Sequence, residues 1–176
     1  MSVSDSVSGE HHRQAHQERE VCAVGESRVR RMINLTINIV DHGWLEAVVN
    51  SDEHNACVTA SYLTDAPANL LVAVAILVEG QREARCIWQE EPGEYRWVLR
   101  REGNTIRIQI LWFESTYSNQ DDMQGQVIFA GQDELIPFGE SLIAAISKYS
   151  IENYKKIWGY DFPLQEIDRL TVAVKQ

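Results

Sequence analysis

Cysteine is scarce in this chain, and so are the arrangements that would give it a task. The three present, Cys22, Cys57 and Cys86, form no Cys-x-x-Cys pair and cannot close an even disulfide framework, which points to a reducing compartment. His-Glu-x-x-His, Gly-x-Ser-x-Gly, a Walker loop and Gly-x-Gly-x-x-Gly are all missing, so no familiar motif for zinc hydrolysis, acyl transfer or nucleotide binding is on offer. No apolar run approaches the roughly 20 residues of a membrane span, and no secretory apolar segment precedes a cleavage site. The expectation is a cytoplasmic protein with no membrane association, no cofactor and no metal. Positive charge is short as well: 16 Lys and Arg stand against 26 Asp and Glu, a net charge of −10. Such a surface repels a phosphate backbone and suits a basic protein partner. The arginines are not interleaved with aromatics as in single-strand binders, so nucleic acid is not expected as a ligand.

What is present begins with a change of character near residue 32. Residues 1–31 are rich in Ser, His, Glu and Arg, with five acids balancing five arginines, so the whole net charge falls in 32–176. They read as a disordered N-terminal extension. A metal role for His11, His12 and His16 is weaker than that of a solvated tail. Residues 32–176 read as a single domain, long enough for a sizeable core.

The domain is organised around Asp65–Gly80. Nine apolar residues run unbroken from Leu70 to Val78, after a possible Asp65 cap and a first-turn Pro67 and before a Gly80 stop. A helix apolar on every side must be buried on every side; a buried strand is the rival, because valine disfavours helix. Before it, Ile33, Leu35, Ile37 and Ile39 alternate with polar residues as a half-buried strand does. Trp44 to Val49 and Ala56 to Tyr62 follow as two more.

After Gly80 come Ala84–Glu90, Tyr95–Arg101 and a third strand, joined by Glu91–Glu94 and by Glu102-Gly103. Pairing Glu90 with Tyr95 and Arg101 with Asn104 sets Trp88 against Trp97, Cys86 against Leu99 and Leu99 against Ile106. One face then carries Cys86, Trp88, Tyr95, Trp97, Leu99, Ile106, Ile108, Ile110 and Trp112, and a slip of one residue would put these aromatics in water. Val127–Ala130 reads as a last strand. Helices follow, with Phe138, Leu142 and Ile146, then Tyr154 and Trp158 before Gly159, then Leu164, Ile167, Leu170 and Val174 inward. The fold class is α+β: an antiparallel sheet of about six to seven strands, a buried central helix, and C-terminal helices on one face.

The opposite face of the meander receives Arg85, Arg96, Arg100 and Arg107. Arg85 would face Arg100, a like-charge pair that is unfavourable without an anion nearby. Guanidinium forks grip carboxylate and phosphate, so these four are candidates for an anionic small ligand or an acidic surface, provided the chain's own carboxylates leave them free. Ile87, Val98, Leu111 and Phe113 share this face, a mixture typical of protein-binding surfaces, unless part of the tail covers it. Glu91 and Glu94, with Glu90, read as an acidic knob at the hairpin tip that contacts a basic partner. No base or nucleophile stands at fixed spacing from them, so they are not expected to be catalytic.

The stretch Trp88-Gln-Glu-Glu-Pro-Gly-Glu-Tyr-Arg-Trp97 resembles a hairpin in a set of small bacterial hypothetical proteins, W-x-x-EPGEYRW. Members of that set carry an apolar helix before it and a WG-x-x-FP segment after it, here Trp158-Gly-Tyr-Asp-Phe-Pro163. The likeness spans about 33–175 and implies no activity. In size, acidity and lack of a catalytic motif the chain is also similar to immunity proteins of bacterial toxin systems. The resulting expectation is a non-enzymatic protein-binding domain, an immunity-type inhibitor of a basic toxin, with an anion-binding module on the arginine face as its rival.

Overall fold

The computed structural model describes residues 33–41, 43–117 and 119–176. The extension expected at 1–31, with its three histidines, lies outside them, as does His42 of the first turn. The described residues form β1 (Asn34–Asp41), β2 (Trp44–Asn50), β3 (Asn55–Ser61), α1 (Ala66–Val78), β4 (Glu83–Gln89), β5 (Glu94–Glu102), β6 (Thr105–Phe113), β7 (Gln126–Glu134), α2 (Leu135–Ser147), α3 (Ile151–Trp158) and α4 (Leu164–Ala173). The class is α+β, as the order of elements implied.

The apolar run forms the helix rather than the strand. In α1, nine residues are buried, among them Leu70, Leu71, Val74 and Leu77. The strands divide into two antiparallel sheets, β1-β2-β3 and β4-β5-β6-β7, instead of one sheet of six or seven strands. Alternation specifies which face of a strand is apolar, but not whether β3 pairs with β4. Here α1 intervenes, and side chains join the two strands: the Ser61 hydroxyl donates to the Gln89 carbonyl at 3.1 Å and the Gln89 N–H donates to Thr64 Oγ1 at 3.1 Å. At the other end, the buried Asp133 carboxylate accepts the Ile33 N–H at 2.9 Å, tying the start of β1 to β7. Tyr149 covers part of the β1 edge, its hydroxyl accepting from Ile39 N–H and donating to the Ile37 carbonyl.

Both hairpins of the second sheet sit two residues from the expected register. Trp88 faces Tyr95, Cys86 faces Trp97, Leu99 faces Ile108 and Trp97 faces Ile110. The first loop is therefore Glu90–Gly93. The second is the two-residue turn Gly103-Asn104, with Gly103 at φ +62°, the first central position that a primed turn reserves for glycine. An even offset keeps every side chain on its face, so Trp88 and Trp97 point inward as expected, whereas Tyr95 and Trp112, near the hairpin tip, are only half-buried. β7 runs on through Gly131-Gln132-Asp133 to Glu134, past Ala130, where the alternation predicts its end.

A single apolar cluster takes in both sheets and all four helices. Trp88 and Trp97 lie at its centre with rings 4.9 Å apart, and their indole N–H groups find no acceptor among the described residues. In α4, Ile167 and Leu170 are buried, whereas Leu164 is 49% exposed and not inward. It occupies the first turn, before the helix settles onto the core.

Trp97 is fully buried, so Trp97→Ala is expected to cost roughly 3–5 kcal/mol in chemical denaturation. A midpoint that hardly moves would put this indole at the surface.

Candidate functional site

Arg85, Arg96, Arg100 and Arg107 share the outer face of the second sheet, but they are not free cations. Arg100 Nε meets Glu83 Oε2 at 2.9 Å, and Arg85 Nη2 meets Glu83 Oε1 at 2.8 Å and Asp122 Oδ2 at 2.9 Å. Arg96 continues the ladder to Asp122 Oδ1 at 3.4 Å and to Glu94 Oε1 at 2.8 Å. Arg107 Nε meets Glu102 Oε2 at 2.8 Å. Four guanidinium groups are thus matched by four carboxylates, so the expected basic patch is locally neutral. The condition for a four-arginine anion site, that the chain's own acids leave the arginines free, is not met. The like-charge cross-strand pair is Arg100 with Arg107, while Arg85 faces Val98; the two-residue register offset accounts for the exchange.

Glu94 is not part of an exposed knob. It is 1% exposed and clamps Arg96 through both Nε and Nη2. Its other oxygen accepts the Tyr117 N–H at 2.9 Å. Arg96 also donates to the Gln120 carbonyl at 2.7 Å and lies 3.9 Å above the Phe113 ring. Together these contacts fasten residues 114–125 over Val98, Leu111 and Phe113, which form a small buried cluster of their own. This connecting segment, rather than the C-terminal tail, covers Val98, Leu111 and Phe113, while Ile87 on the same face stays 40% exposed. Of the tip acids, Glu91 is exposed and Glu90 is half-buried.

The fold brings together a second group that alternation alone did not reveal. The hairpin tip reaches the outer face of the first sheet, where the Tyr95 phenol lies near Thr59, Glu90 and Cys57. Thr59 stands opposite Glu46. The Tyr95 and Trp112 rings lie 4.6 Å apart, and Trp44, two residues before Glu46 on β2, is exposed. Gly93 is required here, since a Cβ would collide with the Trp112 ring and the Phe113 carbonyl oxygen. Outward alternation on β2 signalled Trp44 and Glu46; their approach to the hairpin is a long-range contact with no local signature.

The field at this surface is negative. Desolvation, then the charges of Glu46 and Glu90, raise the Cys57 thiol; desolvation, then Glu90, raise the Tyr95 phenol. A thiol held protonated is a poor nucleophile. Cys86 is raised further by burial alone. Among the described residues, no group of three or more His, Cys, Asp and Glu could hold a metal ion, and no helix is long and apolar enough to cross a membrane. No family model, curated protein or solved structure matches the chain.

Arg96→Met is expected to cost about 3–5 kcal/mol, because it strands the buried Glu94 carboxylate. Removing both charges in Glu94→Leu/Arg96→Met is expected to recover part of that loss, read as a non-additive double-mutant cycle by denaturation. Cys57 is expected to alkylate with iodoacetamide at neutral pH more slowly than an unperturbed exposed cysteine, and faster in Glu90→Gln. An unchanged rate in that variant would remove Glu90 as a source of the field.

Proposed function

We propose that the chain is a non-enzymatic protein-binding domain that recognises a basic protein, acting as an immunity-type inhibitor of a basic bacterial toxin. The observation that carries this reading is the distribution of charge. The net −10 lies wholly in 32–176, and the arginines of the second sheet are matched by acids of the same chain. What faces outward is therefore predominantly negative. Such a field speeds encounter with a cationic partner and selects against acidic ones. The surface around Glu46, Tyr95, Glu90 and Trp112 adds aromatic rings beside carboxylates, a setting in which a partner's Arg or Lys gains both an ion pair and a ring face. The hairpin Trp88–Trp97 contributes Glu90 and Tyr95 to that surface, while Glu46 comes from β2 and Trp112 from β6.

The test is retention on the immobilised chain at low salt, with the product of the neighbouring reading frame as first analyte. Capture of a positively charged protein, its release by added salt, and loss of capture in Glu46→Lys/Glu90→Lys are the expected results. Recovery of no protein partner would overturn the proposal.

A further inference from the structure

A cavity of about 360 Å³ lies between the β2–β3 turn and the outer face of β5, β6 and β7. We propose that it binds a small molecule through an oxyanion, carboxylate or phosphate, gripped by Arg100 and Arg107. This goes beyond the protein-partner reading and does not rest on it. It is also narrower than a four-arginine patch, since it uses two guanidinium groups and one edge of each.

Arg100 and Arg107 are directly opposite one another across β5 and β6. Like charges so placed are destabilising, and their side chains are 53% and 57% exposed, where a single ion pair stabilises little. The fold therefore gains almost nothing from the pair. Each arginine spends its Nε on a flanking carboxylate, Glu83 at 2.9 Å and Glu102 at 2.8 Å. No hydrogen bond from their terminal nitrogens is seen among the described residues, and both guanidinium groups line the same cavity. An oxyanion between them accepts from both forks and cancels the repulsion.

The remaining walls suit a small ligand. Val98 and Ala130 make an apolar floor, and Gln109 adds an amide. The turn opposite is braced before any ligand arrives: Ser51 N–H donates to the His54 carbonyl at 2.8 Å, and Ser51 Oγ accepts the His54 N–H at 3.0 Å. The volume falls within the range of small-molecule sites. Asp52 and Glu53 on the rim require the far end of the ligand to be neutral or positive, so that the negative group seats on the arginines.

The experiment is an amide NMR titration of the folded chain with inorganic phosphate and, separately, with acetate. Saturable shifts confined to Ser51–His54, Val98, Gln109 and Gln132 are expected with at least one of them, and the one that saturates identifies the head group. Arg107→Gln and Arg100→Gln should each weaken binding about tenfold or more without lowering the thermal midpoint, whereas Arg85→Gln, on the same face outside the cavity, should leave affinity unchanged. No saturable shift with either anion, or shifts that survive both cavity variants, would overturn the assignment.

Discussion

A helix with no polar side is the constraint from which this fold follows. From Leu70 to Val78 there is no residue that prefers water, and the exposed cost of such a segment exceeds anything its own hydrogen bonds return. Cover must come from every direction, and most of it is found: one continuous apolar cluster joins α1 to both sheets and to the three C-terminal helices, and only Val72, Ile76 and Val78 of the run stay partly exposed. The inward tryptophans, the two-sheet division and the C-terminal helices are all parts of that cover.

The sequence disclosed much of this because burial is written in periods. An alternation of two identified the inner face of β1 and of the meander, and the even register offset left those faces intact. It could not distinguish registers of equal parity, and it said nothing about pairing between β3 and β4. Glu94 shows where local reading fails. Beside Glu90 and Glu91 it looks like a solvated loop acid. Its burial depends on Arg96 two positions on and on Tyr117, which arrives from a distant connection. Asp122 is equally opaque to local reading: it is a polar loop residue, yet it pairs with two arginines on strands far away in the chain.

The candidate residues are thereby sorted by what surrounds them. Glu94 and Arg96 belong to the architecture, Arg85 to the ladder that spans β4 and the 114–125 segment, and Arg100 and Arg107 to a cavity wall. Glu91 remains at the surface, close to an aromatic and acidic face that includes residues no local pattern joined. Acidity at the level of the whole chain and neutrality on one sheet face are compatible, because the carboxylates that quench the arginines are a minority of the acids present.

The 114–125 segment and the core are held by different forces. Ion pairs from Glu94, Arg96, Asp122 and Arg85 fasten the former, over a cluster of just three apolar side chains, while apolar burial dominates the latter. Electrolyte screens the exposed Arg85–Asp122 rung but reaches the buried Glu94–Arg96 pair much less, and strongly hydrated salts deepen apolar burial. The clasp thus has an outer rung that slackens in brine and an inner one that does not, so fraying at its rim and release of the whole segment are separable events.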